Sequence, residues 1–572
     1  MWVRAVGATV VAGTAVLGLF AVPGLARSQE GGASLPRADV VVFGATPAGV
    51  TAAVAVARGG RRVVLLAPGT AVGGMVSGGL SNTDTGPRGP QIISGLAGEF
   101  FRRVRAIEET RGVCLDACAS SFFFEPHVAE RVFEEMLRDA GVGLERSVRL
   151  LGVDKEGTTI TRLRTSRGDV PAAVFIDASY EGDLMALARV PYLIGRELRR
   201  IGASDAAGLA LQEDHAGAQV LQLPLGLHVD PYRVPGDPSS GPIAFVEPRP
   251  NPLPQVGEGD ARVMAYTYRL CVTDDPTNRI PFMRPEGYRA EDYELHARLA
   301  AAAAAATPQI DIARNMFNPA PMVRSRDPKY NKYDLNSSLT LSTDLTADGL
   351  NHRYVEESSV RREEIQRIYR RYIEGLFHAY QTDPRFAALR ERVSRFGYCA
   401  DEFKSTGGFP QQFYVRVGRR MVGAYVMNEN DVTDSGRREP IQDTVALGTY
   451  SLAAHSHRYL AAPATWPTGE RKDAMMLEAP LILRLPNDAP YPIAYRAITP
   501  RAEHARNLLN PVTLSATSVA YSSIRMEPTF MMLGEAAGAA AALAVENKVS
   551  VQAVSYPSLR RRLVDGGLRL TP

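Results

Sequence analysis

Three sets of residues in this chain have types and spacings able to do chemistry. The first is glycine-rich: Gly44-Ala45-Thr46-Pro47-Ala48-Gly49, then Gly73-Gly74-Met75 and Gly78-Gly79. Such a turn at a helix N-terminus offers backbone N–H groups and the positive end of the helix dipole to a pyrophosphate. The second is the run Ser523-Ile524-Arg525-Met526-Glu527-Pro528 ahead of an apolar helix. There a cation and a helix N-terminus together can stabilise negative charge. The third is His455, in a polar loop at 450–458 that also holds His457. An imidazole titrates near neutrality and can take a proton from a substrate. Tyr495 and Arg496, set between apolar residues in YPIAYRAITP, are candidates for orienting a substrate. Plainer readings exist: glycine turns also serve strand–helix packing, His455 can bond its own loop, and Arg525 can pair with Glu527 or Glu535.

The elements that must hold these groups follow from the pattern. Residues 40–43 are an apolar run, 50–57 a small-residue helix stopped by Gly59-Gly60, and 63–66 a second apolar run. This is strand, tight turn, helix and parallel strand, a βαβ unit. Gly44 and Gly49 stand where the dinucleotide fingerprint wants glycine, with Thr46 between them. Gly73-Gly74 after the second strand, with the turn at 523–528, narrows the ligand to FAD over NAD. Residues 148–153 and 158–165, joined by Asp154-Lys155-Glu156-Gly157, read as a hairpin with Val148 at its start. It resembles the strand that passes beside the adenine in Rossmann-type flavoproteins. Val174-Phe175-Ile176-Asp177-Ala178-Ser179 reads as a buried strand meeting small residues. Ala178, Ser179 and Gly182 would let a cofactor cross the sheet edge. Residues 512–514 read as a strand and 522–528 as a polar turn. The helix after it carries Gly534, Ala537, Gly538 and Ala541 on one face, allowing another backbone to approach.

A chain of 572 residues, 45% apolar and 22% charged, is ordinary for a globular protein and divides into roughly two to four domains. A net charge of +3 gives no reason to expect nucleic acid as a partner. Arg4, the apolar run at 5–20 and Pro23-Gly24-Leu25-Ala26 read as a secretory signal peptide over residues 1–27, the alternative being an uncleaved membrane anchor. A flexible leader at 28–37 would follow, then a cofactor domain at 38–200, a substrate domain at 201–500 with a proline-rich surface excursion at 224–258, and a return to the cofactor domain at 501–572. Cys114, Cys118, Cys271 and Cys399 suit export, Cys114 and Cys118 as a local disulfide or as free thiols. Their spacing supports no iron–sulfur cluster and no metal site. Helical spacing places helices over 96–107, 126–140, 295–306 and 360–380, the last with a solvated arginine face. Strand-like patterns recur at 266–272 and 413–417.

The blocks at 44–80, Asp177-Ala178-Ser179-Tyr180-Glu181-Gly182-Asp183, 406–426 and Ser523-Ile524-Arg525-Met526-Glu527-Pro528 resemble, in that order, one family. It is the FAD-dependent oxidoreductase family often labelled xanthan-lyase-like, distantly similar to the heterodisulfide reductase flavin subunit. The resemblance implies FAD and an α/β, Rossmann-like fold of the glutathione-reductase type built from both chain ends, with an inserted α+β substrate domain. It implies hydride transfer from an alcohol, sugar or amine carbon to flavin N5, with His455 as base, Arg525 at the flavin and Tyr495 and Arg496 at the substrate. Oxygen or another non-nicotinamide acceptor would then reoxidise the flavin. The alternatives are a lyase or carbohydrate-binding protein with a structural FAD, and a relative that has lost tight FAD binding. Four departures stand out. Ala67 replaces the acid that ends the second strand, while Ala453, Ser456 and Gln411 replace polar residues of the family pattern.

Overall fold

A run of four apolar residues suits a strand covered on both faces, and Val40–Phe43 (β1) runs fully buried through the middle of a five-stranded sheet. The structure is a computed structural model and describes residues 37–112, 122–198, 221–321, 331–336, 343–433, 440–478 and 481–571. The signal peptide, all but the last residue of the leader, and Cys114 and Cys118 lie outside the described residues. After β1 come helix α1 (Pro47–Arg58), β2 (Val63–Leu66), β3 (Gly143–Glu145) and β4 (Val174–Asp177). The fifth strand, β5 (Leu508–Leu509), arrives from the far end of the chain. The order is β5-β4-β1-β2-β3 and every pairing is parallel. Val40 sits opposite both Val63 and Val174, so β1, β2 and β4 end level with one another, at Gly44, Ala67 and Ala178. This is the Rossmann-like α/β arrangement expected.

A second, antiparallel sheet of five strands lies between the two ends of the chain in sequence: Arg279–Pro281, Gly397–Cys399, Leu270–Thr273, Lys332–Leu335 and Ala320–Pro321, in that order. Cys271 and Cys399 on its neighbouring strands are disulfide-bonded, with Cα atoms 5.8 Å apart. Over it packs helix α2 (Ser359–Thr382), started by the Ser358 side chain accepting from Arg361 N and ended at Asp383 before Pro384. Its aromatic stripe, Tyr369, Tyr372, Phe377 and Tyr380, is buried as expected. Its arginines are not simply a solvated face. Arg362 is held in a two-pronged ion pair with Asp183, and Arg367 and Arg370 border a cleft.

Several local expectations need correction. The hairpin strands are Leu150–Glu156 and Thr159–Thr165, with a third at Gly168–Pro171, so Val148 precedes them. Residues 512–514 are irregular; the strand is Leu508–Leu509, and Pro511 lacks the N–H to extend its ladder. Residues 413–417 form no regular strand, Tyr414 making one bridge to Thr267, and the strand expected at 266–272 is Leu270–Thr273. Ser523 and Ile524 lie in a helix, Ser518–Ile524, because Thr517 caps it by accepting from Ala520 N. The proline-rich stretch is not wholly superficial, since Leu227, Val229, Tyr232, Ile243 and Val246 are buried.

The C-terminal helix α3 (Glu527–Asn547) closes the structure. Among the described residues it is the one helix long and apolar enough to cross a membrane, and it lies buried within the protein. Its Gly534 and Gly538 rest against the backbone of α1, where an added Cβ would run into the carbonyl oxygens of Ala48 and Ala52. Thr51 of α1 donates to Met531 O of α3 (2.8 Å), fastening the same face. Gly534→Ala is therefore expected to cost about 1–3 kcal/mol through forced separation of the helices. At Gly69 a Cβ meets nothing within 4 Å, so Gly69→Ala should leave the melting temperature nearly unchanged. Thermal unfolding of the two variants checks this; equal shifts would contradict the packing.

Candidate active site

The level carboxyl ends of β1, β2 and β4 open onto a cleft of about 720 Å³. Its floor holds Gly44, Ala45 and Thr46 of the first turn, Ala67, Gly74 and Ser179. Gly44 has a φ of +99°, and a Cβ there would come 2.7 Å from Ser179 N, so the two loops touch only across a glycine. Thr46 joins them: its hydroxyl donates to Ala178 O (2.7 Å) and accepts from Gly49 N (3.2 Å). Pro47 has no N–H, the Gly49 N–H is capped, and the first turn of α1 contains no acid. The Ala48 N–H, at the positive end of the helix, therefore has no acceptor among the described residues.

The second glycine doublet is tied to α3. Tyr180 Oη accepts from Met75 N (2.9 Å) and donates to Glu527 Oε1 (2.7 Å), with Gly74 bare beneath the phenol. Burial pushes the Glu527 carboxyl up to about 8, and its other oxygen has no hydrogen-bond partner among the described residues. Behind the cleft, fully buried Asp177 is pushed up to about 6 by desolvation while Ser179 and Met185 donate to it. Gly182 adopts the left-handed conformation and donates to Ser179 Oγ (3.0 Å). Val148 donates to Ala67 O (2.9 Å), which sets it against the end of β2. The opposite wall comes from α2 and from Gln411 and Gln412.

His455 lies apart from the cleft-lining residues, in the connection between strands Leu452–Ala454 and Tyr459–Thr465. Its Nδ1 is 2.7 Å from Asp344 Oδ2, and the fully buried Arg416 guanidinium forms an ion pair with the other oxygen of Asp344 (2.8 Å). A carboxylate paired to arginine can only accept, so Nδ1 carries the hydrogen and Nε2 the lone pair. Burial, reinforced by Arg416, pulls the imidazole down to about 4 against the pull of Asp344. The ring is neutral at neutral pH. The Arg416 guanidinium lies 4.8 Å over the Tyr414 ring, and Arg525 donates to Tyr414 Oη (2.9 Å) and to Ala453 O (3.0 Å). Arg525 is buried, and no carboxylate lies within ion-pair distance of it among the described residues. Glu527 bonds Tyr180, and Glu535 accepts from Leu96 N (2.7 Å).

The structure thus gathers Gly44, Thr46, Ala67, Gly74 and Ser179 on one cleft, with Pro47, Ala48, Gly49, Gly73, Met75, Val148, Ala178 and Gly182 directly behind it. Arg525 and His455 meet in a second network. Tyr495 and Arg496 belong to neither. Tyr495 donates to Val551 O (2.7 Å), and Arg496, half exposed, is paired with Asp443 (3.0 Å), so both side chains are held by groups outside either site. Ser523 is spent on Tyr491 and Tyr450 O, Ile524 is buried, and Met526 caps α3. Sequence reasoning missed Asp344 and Arg416, whose irregular segments carry no local signal. It also missed the cleft-facing turn of α2, legible as the polar stripe Glu363, Gln366, Arg367 and Arg370.

The sequence model of the family described as FAD dependent oxidoreductase matches residues 39–563. The chain belongs to that family. This FAD-dependent oxidoreductase matches no curated protein. Among solved structures it is similar to L-amino acid deaminase from Proteus myxofaciens, at 17% identity over 26% of this chain and 46% of that one, TM-score 0.20. It is also similar to L-proline dehydrogenase from P. horikoshii (17% identity, 29% and 59% of the two chains, TM-score 0.20). A third is anhydrotetracycline hydroxylase from Streptomyces rimosus (15%, 29% and 36%, TM-score 0.22). Each of these matches spans less than two thirds of the other chain. The cleft fits the cofactor on its own chemistry: a bare glycine cradle, a free N–H at a helix N-terminus and an uncharged first turn suit a pyrophosphate.

Glu527 yields a test of the cleft's electrostatics. Its folded value, about 8, lies above the ordinary 4.5, so the folded state keeps a proton the unfolded chain releases. Stability from this group is full below about 4.5 and is lost as pH rises through about 8. Between about pH 6 and about pH 9 the melting temperature of Glu527→Gln should fall less than that of the unsubstituted protein. Parallel curves would show that Glu527 is not held protonated.

Proposed function

We propose that this enzyme removes a hydride and a proton from the same group of a small alcohol, sugar or amine, with His455 as the base. The observation that carries the reading is the His455–Asp344 pair, a neutral imidazole whose tautomer is fixed by a carboxylate. Bound FAD supplies the two-electron acceptor. Gly44, Thr46 and Ala48 would hold its pyrophosphate, Gly73 to Met75 and Ser179 its adjoining chain, and Val148 would border its adenine.

In the substrate, the C–H and the neighbouring O–H or N–H bonds break together to leave C=O or C=N. His455 Nε2 takes the proton of the hydroxyl or amine, and Asp344 stabilises the imidazolium that forms. Arg525, bonded only to the neutral acceptors Tyr414 Oη and Ala453 O, keeps its positive charge uncompensated by any described carboxylate. Beside a bound flavin that charge would stabilise negative charge on the ring. The signal segment and the Cys271–Cys399 disulfide favour an exported protein. Export leaves little NAD(P)H at hand, which favours oxygen or a membrane electron carrier as the final acceptor.

Anaerobic mixing of the flavin-loaded enzyme with a panel of alcohols, sugars and amines tests the function: one class should bleach the flavin absorbance. Bleaching by none of them, with the flavin still bound, would contradict it. With that donor, His455→Gln should slow reduction by roughly 10²–10⁴-fold and Asp344→Asn by less, both retaining flavin. Because protonation removes the base, the rate should hold from neutral pH downward and fall only near pH 4. A limb near the ordinary histidine value would mean that a different group accepts the proton.

A further inference from the structure

The end of β2 lacks the acid that could accept from an adenosine ribose: Ala67 stands there, followed along the cleft by Pro68, Gly69 and Thr70. Two carboxyl groups border the cleft, Glu181 and Glu363. Glu181 is pushed up to about 7 by burial, with Arg362 opposing. Glu363 is exposed, and its carboxylate has no hydrogen-bond or ion-pair partner among the described residues. One turn further along α2, Arg367 also borders the cleft, and its one recorded bond is from Nε to the backbone oxygen of Glu363 (3.3 Å).

A glutamate and an arginine four residues apart on a helix ordinarily close on each other. Among the described residues these two do not pair, and both border the cleft. Their neighbours on α2 are already committed. Arg362 is paired with Asp183, Gln366 donates to Tyr354 Oη (2.6 Å), and Arg370 is bonded to Glu374 (2.8 Å) above the Phe409 ring. Across the cleft stands the donor-rich, acid-free start of α1. An acceptor and a cation one turn apart, facing a helix N-terminus, match a ribose diol joined to a pyrophosphate.

We propose that this turn of α2 closes over the adenosine diphosphate half of the cofactor, Glu363 accepting from the ribose hydroxyls and Arg367 pairing with the pyrophosphate. The proposal rests on the flavin reading of the cleft. It makes the substrate domain itself supply the carboxylate missing at Ala67.

Calorimetric titration of the full-length chain, freed of flavin, with FAD, ADP, 2′-deoxy-ADP and FMN tests it. Glu363→Gln and Arg367→Gln should each weaken FAD and ADP by roughly tenfold and leave FMN unchanged. Glu363→Gln should also abolish the preference of the unsubstituted protein for ADP over 2′-deoxy-ADP, and Ala67→Glu in that background should restore part of the affinity. Arg367→Gln should flatten the salt dependence of ADP binding. Glu364→Gln, on the same helix but paired with Arg361, is the control and should change nothing. Circular dichroism confirms that each variant is folded. Unchanged FAD and ADP affinities in both variants, or equal losses for FMN, overturn the proposal while leaving the flavin reading intact. An unsubstituted protein that binds neither FAD nor ADP overturns both.

Discussion

At Gly534 and Gly538 no side chain separates α3 from the carbonyl oxygens of Ala48 and Ala52, so the last long helix lies directly on the first one. The start of α1 brings an acid-free helix N-terminus to the cleft, and the start of α3 reaches the second glycine doublet through Glu527 and Tyr180. Both helix N-termini are therefore aimed by one backbone contact, made between segments 480 residues apart at the Thr51–Met531 bond. Until the C-terminal segment docks, β1–α1–β2 has neither its fifth strand nor its covering helix. The glycines that look expendable in an alanine-rich helix set the geometry of the whole cofactor face.

Charge is distributed unevenly over the site, and the unevenness has a physical logic. Around His455, burial and two guanidinium groups keep the imidazole neutral, while Asp344 fixes which nitrogen holds the hydrogen. Near the glycine cradle, burial keeps Glu527 protonated, so a carboxyl beside the anion-binding turn brings no negative charge at neutral pH. Arg525 at one network and Arg367 at the cleft have no carboxylate partner among the described residues. The neutral imidazole, the arginines and the glycine turn are thus kept from neutralising one another.

Much of this was legible in the sequence. Short apolar runs and glycine turns mark β1, α1 and β2 because buried strands and phosphate-binding turns leave few alternatives. The bare face of α3 showed as a small-residue spacing. Helical periodicity located α2 but misassigned its arginines, since spacing tells which residues share a face and not what that face meets. His455 was recognisable by residue type, whereas Asp344 lies 111 residues away on irregular backbone and is paired with it only by the fold. Tyr495 and Arg496 were misplaced for a related reason. Apolar neighbours imply burial, not the side on which the polar atoms emerge. Pro511 and the Thr517 cap decide the strand and helix ends near residue 510, and each acts through a single backbone group.

If the first glycine turn, the second glycine doublet and the turn of α2 at 363–367 enclose one FAD, amides at 44–50, 73–79 and 363–370 gain protection together on binding. Hydrogen exchange of the full-length protein with and without FAD measures this directly. Protection confined to other segments, or gained at the first turn with no change at the other two, would contradict it.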